Sequence, residues 1–313
     1  MSKVPPLLVI TGPTATGKTE AGVLVAKAVG GEVVSADSML VYRHMDVGTA
    51  KPTLDERDNI PHHMIDIIDP DEEYSVALFQ EQARSVIKEV HARGNLPILV
   101  GGTGLYVRSV IDHYDFSGAG GDTELREKLQ KEAEAGGAEA LHRKLSSVDP
   151  DAAARLHPRD TRRVIRALEV YYRTGKPISS YQFRDRRQEP IYNLAMFGLT
   201  MPRETLYRRI ETRVDRMIGD GLVDEVRALL AGGYSPDLPS MRGLGYKEMI
   251  LYLSGEISLE GAVELLKMNT RRFAKRQLTW FRRDARIKWL DIEKYGSLEI
   301  IAQEITRIIE GVF

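Results

Sequence analysis

Short apolar runs alternate with segments of helical periodicity in the N-terminal part of the chain. Strands are predicted at Leu7–Ile10, Glu32–Asp37, His63–Ile68 and Leu96–Val100. Between them, residues 20–27 and 76–90 carry apolar residues at the spacing of an amphipathic helix, the second after an N-cap at Ser75. Strands that alternate with helices predict an α/β fold, in which helices cover a parallel sheet.

The pattern changes after about residue 114. Gly118, Gly120 and Gly121 predict a flexible joint, and the chain then has only helical periodicity up to about residue 188. A fifth strand is predicted at Tyr192–Leu199, followed by helices within 203–231, 245–253 and 258–283 and a further strand at Ile287–Asp291. A helical block between two strands predicts an inserted subdomain. Residues 1–114 and 190–313 would form the core, and residues 115–189 the all-helical insertion.

A glycine-rich turn follows the first strand, with the sequence Gly12-Pro13-Thr14-Ala15-Thr16-Gly17-Lys18-Thr19. It matches the G-x-x-x-x-G-K-[ST] phosphate loop, with a strand before it and a helix after it. In such a loop the glycines let backbone N–H groups turn inward, and the helix N-terminus adds a positive dipole end. Lys18 offers a charge to terminal phosphates and Thr19 a hydroxyl to Mg²⁺. The turn therefore predicts a polyphosphate site in a P-loop NTPase-like fold, with magnesium as cofactor.

Asp37 and the stretch Gly101–Gly104 also follow predicted strands. Because ligands of parallel sheets bind outside the carboxyl ends of the strands, we expect both to converge with the phosphate loop. The strand before Gly101 ends in glycines instead of an acid that would hold Mg²⁺, and no guanine-reading N-K-x-D occurs. A GTPase is therefore not indicated, whereas phosphoryl transfer by a kinase stays open.

Composition limits the function classes further. The 313 residues contain no cysteine, which excludes disulfides and thiolate chemistry. The N-terminus leads directly into a strand, and no apolar run approaches the ~20 residues that span a bilayer. We therefore expect a cytoplasmic protein without a membrane partner, and nothing in the sequence demands more than a monomer.

Basic residues are concentrated in two blocks, although the net charge is only −1. Ten basic residues face three acidic ones between Arg155 and Arg187, and nine face one between Lys267 and Lys288. Two such blocks favour a polyanion larger than a nucleotide as partner. The alternative for each block is a solvated helix face.

The sequence resembles the tRNA dimethylallyltransferases, which alkylate the adenosine next to the anticodon. The matching stretches occur in order along nearly the whole chain: Gly12–Thr19, Ser35–Ser38, Gly48–Pro52, Leu99–Tyr106, Asp160–Glu169, Arg242–Tyr246 and Arg276–Trp280. The resemblance implies transfer of a dimethylallyl group from dimethylallyl diphosphate to adenine N6, with pyrophosphate leaving. The phosphate loop would then hold the diphosphate of the prenyl donor, and the chemistry gives ATP no role.

The resemblance also implies roles for three side chains. Asp37 matches the carboxylate that accepts the N6 proton, and its alternative role is that of an outer-shell ligand of Mg²⁺. Arg213 matches an arginine on the leaving diphosphate, and its alternative is a surface ion pair. Thr103 matches a residue whose hydroxyl contacts the substrate.

A tRNA anticodon stem-loop is the macromolecular partner that the resemblance implies. An adenine in a stacked loop must leave the stack to meet Asp37. We expect tRNA contacts from Asp37, Ser38, Met39, Leu40, Thr103, Arg162, Arg163, Val164, Ile165, Arg166, Arg242, Gly243, Arg272 and Arg276. Phe273 and Trp280 interleave with the arginines of the helix at 268–283, but large aromatic residues of this kind are expected in the core.

Three other functions share parts of this pattern. A nucleoside or shikimate-type kinase has the same loop but turns over ATP and needs no basic blocks. An adenylate isopentenyltransferase would use the loop and Asp37 on a free nucleotide, and the helical insertion and basic blocks favour tRNA instead. An RNA-binding nucleotide switch would bind RNA in a nucleotide-dependent way and form no product.

Overall fold

The computed structural model describes residues 4–114, 116, 121–181 and 189–313. The joint predicted at Gly118 and Gly120, and the basic residues Arg184, Arg186 and Arg187, lie outside these residues. The chain divides into two compact units: Met1–Ile111 with Pro190–Phe313, and Asp112–Glu189. The predicted insertion at 115–189 falls within the second unit.

A parallel sheet forms the centre of the first unit. Its strands in the described part of the chain are β1 (Pro6–Thr11), β2 (Gly31–Ser35), β3 (His62–His63), β4 (Leu96–Gly101), β5 (Asn193–Thr200) and β6 (Ile287–Asp291). They lie in the order β3-β2-β4-β1-β5-β6, and every pair is parallel. Leu7, Leu8, Val9 and Ile10 of β1 are completely buried, because helices cover both faces of the sheet. The predicted α/β fold with its P-loop-like parallel sheet is confirmed.

Four helices accompany the first half of the sheet: α1 (Lys18–Val29), α2 (Leu54–Arg57), α3 (Val76–Ala92) and α4 (Gly104–Ile111). The N-cap predicted at Ser75 is confirmed, since its side chain accepts the N–H of Leu78. In the described residues of the second unit, every regular element is a helix: α5 (Thr123–Gly136), α6 (Ala138–Val148), α7 (Pro150–Arg155), α8 (Thr161–Thr174) and α9 (Ile178–Tyr181). Its own core includes Leu145, Val164 and Leu168.

The chain then completes the first unit with α10 (Arg203–Gly219), α11 (Leu222–Ala231), α12 (Tyr246–Leu253), α13 (Leu259–Phe281), α14 (Ile292–Tyr295) and α15 (Leu298–Ile309). The predicted helical region 203–231 is two helices, which meet at Gly221 with φ 95°. Helix α15, which the sequence analysis did not predict, packs on α1 through Ile301, Ile305 and Ile309 in the same core cluster.

The third strand is shorter than predicted, and the extent His63–Ile68 is wrong. Met64 and Asp66 have φ values of 63° and 57°, in the left-handed region that a strand cannot contain. The end of the predicted strand lies beside Val41 and Tyr42 instead: the N–H of Ile67 donates to the carbonyl of Val41 at 2.9 Å, and Tyr42 and Ile68 form a parallel bridge. Within the described residues, no helix is long and apolar enough to cross a membrane.

Candidate functional site

The phosphate loop connects β1 to α1 and is shaped by glycines at both ends. Gly12 has φ 140°, and a Cβ there would lie 2.5 Å from the carbonyl oxygen of Leu199. Gly17 caps α1 with φ 77°, and a Cβ there would lie 2.6 Å from Leu298 Cδ1. Both positions require glycine, for conformation and for space. The loop therefore lies directly on β5 and on the C-terminal helix.

Side chains within the loop hold its shape. Thr16 Oγ1 donates to the carbonyl of Pro13 at 2.8 Å, and Lys18 Nζ donates to the same carbonyl at 2.7 Å. Burial lowers the pKa of Lys18 to about 8, while the Asp37 carboxylate opposes that shift and Arg213 adds to it. The ammonium group of Lys18 is thus held at the loop with much of its hydration removed, which strengthens its attraction for a phosphate.

Asp37 lies two residues beyond the end of β2, in a turn that fixes its carboxylate. Asp37 Oδ1 accepts the N–H of Met39 at 2.9 Å, the hydrogen bond of an Asx turn. The next residue, Ser38, donates its N–H to Thr103 Oγ1 at 3.1 Å, and the two hydroxyls are 3.3 Å apart. Thr103 follows β4, so the predicted catalytic residues Asp37 and Thr103 are joined through Ser38.

Two cavities in the first unit meet at the phosphate loop. The smaller, of about 320 Å³, is lined by Lys18, Asp37 and Gly101 among others, so the three stretches that follow strands converge as predicted. The larger, of about 1150 Å³, is lined by the basic side chains of Lys51, Arg208, Arg209 and Arg216. Both cavities are lined by Lys18, Thr19, Ala50, Pro52, Arg213 and Met217. The phosphate loop can therefore be reached from two sides.

Arg213, on α10, belongs to this shared wall. Its Nη2 donates to the carbonyl of Thr49 at 3.3 Å. Burial lowers the pKa of Arg213, and the carboxylates of Asp37 and Glu56 oppose that shift. The side chain of Arg213 lines both cavities, and the neighbouring Glu211 pairs with Arg271 at 2.6 Å. A half-buried cation thus stands near Lys18 and Asp37.

Glu225, which the sequence analysis did not single out, organises the loop that supports Arg213. Its carboxylate accepts the N–H groups of Asp46, Val47 and Gly48 at 2.7 to 3.0 Å. It also accepts the hydroxyl of the fully buried Tyr246 at 2.7 Å. These three hydrogen bonds from the backbone to one carboxylate fix the path of the chain just before Thr49.

Gln277 is a second residue that sequence reasoning missed. Only 6% of it is exposed, and its side-chain amide contacts both the phosphate loop and the stretch after β4. Oε1 accepts the N–H of Thr14 at 2.9 Å, and Nε2 donates to the carbonyl of Gly102 at 2.9 Å. It stands next to Arg276 in one of the stretches that carry the resemblance, which is the signal that could have pointed to it.

Several of the predicted tRNA-contacting residues of the first unit surround the smaller cavity. Ser38, Met39, Leu40, Arg242, Gly243 and Arg276 line it. Gly243 lies against Met39, because a Cβ on Gly243 would be 2.5 Å from Met39 Cε. Arg272 and Arg276 are exposed on α13, and the guanidinium of Arg276 lies over the ring of Phe273 at 5.8 Å. Trp280 packs against the core, as expected.

The predicted tRNA-contacting segment Arg162–Arg166 lies on α8 of the second unit. Arg162 and Arg163 are exposed, and Arg163 pairs with Asp160 at 3.3 Å. Val164 is completely buried in the core of the unit, so its side chain cannot meet an RNA there. Arg166 pairs at 2.6 Å with the fully buried Glu169, which also holds Arg126 at 2.8 Å. Arg126, Arg162 and Arg166 line a groove of about 720 Å³, together with Ile165.

Comparison with known proteins identifies the family of this chain. A family model described as IPP transferase matches residues 40–284, and one described as isopentenyl transferase matches residues 5–69. The tRNA dimethylallyltransferase of Pelotomaculum thermopropionicum is 65% identical over 311 residues, which cover 99% of this chain and 98% of the relative. The chain belongs to the IPP transferase family.

Solved structures of similar proteins have the same fold as this IPP transferase. The tRNA isopentenylpyrophosphate transferase of Bacillus halodurans is 48% identical, with a TM-score of 0.72 over 98% of this chain and 96% of that one. A eukaryotic dimethylallyltransferase, studied in crystals as it acts on tRNA, is 31% identical, with a TM-score of 0.77 over 92% of this chain and 74% of that one. The resemblance found in the sequence is thereby confirmed.

Proposed function

We propose that this IPP transferase transfers a dimethylallyl group from dimethylallyl diphosphate to N6 of the adenosine next to the anticodon of a tRNA. One observation carries the proposal: a phosphate loop and a fixed carboxylate line the same cavity. Lys18 and Arg213 supply charge for a diphosphate, and Asp37 supplies a base for the acceptor. That pairing suits an alkyl transfer in which the leaving group gains negative charge while the nucleophile loses a proton.

The reaction needs help on both sides because the N6 lone pair is delocalised into the adenine ring. N6 attacks the allylic carbon, the bond from that carbon to the diphosphate oxygen breaks, and the electron pair of that bond leaves with pyrophosphate. Asp37, held by its bond from Met39, takes the N6 proton. The N–H groups of the phosphate loop, Lys18 and Arg213 stabilise the charge that develops on pyrophosphate.

The two cavities suggest separate routes for the substrates. The larger cavity offers Arg208 and Arg209 beside Lys18 and Arg213 to an anionic donor, and Glu20, Asp46, Glu56 and Asp220 also line it. The smaller one is bordered by Met39, Arg242 and Arg276, which suit an RNA loop with an unstacked base. In the second unit, the groove lined by Arg126, Arg162 and Arg166, together with Glu127 and Glu134, offers cations to tRNA phosphates.

Magnesium fits this site as an ion held mostly by the substrate. No group of three or more acidic or histidine side chains that could hold a metal occurs among the described residues. Mg²⁺ often binds through substrate phosphates, one or two protein oxygens and several waters. Thr19 would supply its hydroxyl, and the buried hydroxyl of Ser35, which lacks a partner in the described structure and lines the same cavity, would accept or donate to a water. When bound, Mg²⁺ would neutralise charge on the departing pyrophosphate.

One experiment separates the candidate functions. The protein is incubated with Mg²⁺, dimethylallyl diphosphate and either unmodified tRNA or free AMP, and the adenosine products are measured by mass spectrometry. We expect a mass increase of one dimethylallyl group in tRNA and none in AMP. Product on AMP alone would favour the adenylate isopentenyltransferase function, and steady ATP hydrolysis without alkylation would favour a kinase or a nucleotide switch.

A further inference from the structure

The side-chain amide of Gln277 has a single orientation in which both Oε1 and Nε2 form hydrogen bonds. Thr14 presents an N–H and Gly102 a carbonyl oxygen, so Oε1 must face the first and Nε2 the second. Both bonds are 2.9 Å long, within the range of well-formed hydrogen bonds. Removing the buried Gln277 side chain would leave the partly buried N–H of Thr14 and the buried carbonyl of Gly102 without this partner.

The two partners belong to the two loops that hold the substrates. Thr14 is part of the phosphate loop. Gly102 precedes Thr103, whose N–H donates to the carbonyl of Ala36 at 3.2 Å and whose hydroxyl accepts from Ser38. Gly102 also leaves the space that the amide occupies, since a Cβ there would overlap Gln277 Nε2. One side chain therefore bridges the donor-binding loop and the stretch after β4, and Thr103 connects that stretch to the turn that carries Asp37.

The same turn of α13 faces the proposed RNA-binding side. Gln277 directly follows Arg276, which is exposed, while Ala274, Gln277 and Phe281 form the buried stripe of the helix. Arg276 and Gln277 are adjacent within the 23-residue helix α13, whose backbone hydrogen bonds hold neighbouring residues in a fixed arrangement. Phosphates that fix Arg276 would therefore also fix the position of Gln277 against both loops.

We propose that Gln277 is a positioning residue that couples RNA binding on α13 to diphosphate binding in the phosphate loop. Its bond to Thr14 leaves the N–H groups from Ala15 onward for the diphosphate. RNA on α13 holds Gln277, and Gln277 holds the loop in its binding shape. Thermodynamic reciprocity then requires that the diphosphate raise the affinity for tRNA by the same factor. The inference rests on the proposed function for the identity of the two ligands.

The test measures binding without turnover. The dissociation constant of inorganic pyrophosphate with Mg²⁺ is determined by calorimetry, with and without unmodified tRNA. In the wild type we expect tRNA to tighten pyrophosphate binding by about fivefold or more. Gln277→Met, nearly isosteric, should weaken pyrophosphate binding without tRNA by about tenfold and abolish the tightening.

A matched control comes from the same helix. Asn269 also donates from its side-chain amide, to Glu248 Oε1 at 2.8 Å, and this bond ties α13 to α12 instead of to the loops. Asn269→Leu should keep the tightening by tRNA, even at some loss of melting temperature. If Gln277→Met does not fold, Gln277→Asn keeps a polar amide but is one methylene too short to bridge both partners, and the same loss of tightening is expected.

Equal pyrophosphate affinities with and without tRNA in the wild type would overturn the inference. Undiminished tightening in a folded Gln277 variant would do the same, because the residue would then be only part of the core. A wild-type protein that alkylates tRNA but shows no coupling refutes this inference alone. One that shows coupling but forms no alkylated adenosine refutes the proposed function instead.

Discussion

The donor side and the RNA side of the proposed site are built in opposite ways. On the donor side, Lys18 and Arg213 are enclosed, and burial lowers both of their pKa values. On the RNA side, Arg162, Arg163, Arg272 and Arg276 extend from helices into solvent. Enclosed cations with fixed hydrogen bonds act on a small anion at short range, whereas exposed ones interact weakly and are screened by salt.

The difference in exposure indicates that the donor side contributes mainly to catalysis and the RNA side mainly to affinity for tRNA. The donor side is preorganised, with Gly12 and Gly17 shaped for one loop conformation, and the proposed base Asp37 beside it is fixed by the N–H of Met39. Preorganised groups stabilise a transition state without reorganising at the moment of reaction. The proposed RNA contacts are many exposed arginines, so each one should matter little for rate and moderately for affinity.

Asp37→Asn should cause the largest loss on the preorganised side. Asparagine keeps the size and one acceptor oxygen but cannot accept the N6 proton. We expect the single-turnover rate to fall ~10²–10⁴-fold, the usual contribution of a positioned general base. The dissociation constants of tRNA and dimethylallyl diphosphate should change much less, since few of their contacts are lost. Rapid-quench measurement of alkylated adenosine gives the rate.

A magnesium titration of the same variant separates the two roles of Asp37. If Asp37 serves mainly to organise Mg²⁺, donor binding weakens and excess Mg²⁺ restores part of the rate. Restoration of the rate by Mg²⁺ would show that the general-base assignment is wrong.

Lys18→Ala should have the next largest effect. The ammonium acts on the diphosphate both in the ground state and as its charge grows, so its removal should raise KM for the donor and lower kcat, by ~10²-fold or more in kcat/KM. Steady-state kinetics with saturating tRNA measures both parameters. Unchanged turnover of dimethylallyl diphosphate would mean that the loop does not bind this donor.

The low pKa of Lys18 predicts how donor binding depends on pH. Below about pH 8 the ammonium is charged, and as pH rises through about 8 the unliganded protein loses that charge. Pyrophosphate affinity should then fall, by up to about tenfold per pH unit where binding takes up one proton. Calorimetry from about pH 7 to about pH 9 measures this. Lys18→Arg, which stays charged, is the control and should flatten the pH dependence.

Folding stability depends on pH with the opposite sign to pyrophosphate affinity. The pKa of Lys18 lies below its ordinary value of 10.5. Between about pH 8 and pH 10.5 the unfolded chain therefore binds more protons at this residue than the folded chain does. The contribution of Lys18 to the free energy of unfolding therefore increases with pH over that window.

Local signals and long-range contacts explain what the sequence could and could not predict. The phosphate loop is recognisable because its function needs fixed residues at a fixed spacing, and the apolar runs of β1 and β4 reflect burial on both faces. The shortening of β3 depends on left-handed backbone conformations at Met64 and Asp66. The identity of these two residues does not by itself predict those conformations. Gln277 and Thr14 are 263 positions apart, so only the fold brings them together.

Helix α15 shows a different kind of omission. Its buried positions Leu298, Ile301, Ala302, Ile305 and Ile309 follow helical spacing after an N-cap at Ser297, so periodicity alone could have predicted the helix. Its proximity to Gly17 of the phosphate loop depends on tertiary packing and was not predictable from that pattern.

The smallest effects are expected on the RNA side, where arginines should contribute through salt-dependent phosphate contacts. Affinity for tRNA should fall linearly in log[salt], with a slope of about −0.7 for each single-stranded phosphate contact. Arg163→Gln and Arg276→Gln should each make the slope less steep by about 0.7 and leave pyrophosphate binding intact. Fluorescence anisotropy of labelled tRNA at several salt concentrations measures the slope.

Arg307 provides the matched control for Arg163. The two side chains are 71% and 69% exposed, and each pairs with an acid three residues away, Glu304 and Asp160. Because Arg307 lies outside the predicted RNA-contacting residues, Arg307→Gln should leave the slope unchanged although it removes the same charge from an equally exposed helix. If Arg163→Gln and Arg307→Gln behave alike, position on the protein surface does not matter, and α8 would be an ordinary solvated helix face. A less steep slope for Arg163→Gln alone would place tRNA phosphates on the second unit and support the division between a preorganised donor side and a distributed RNA side.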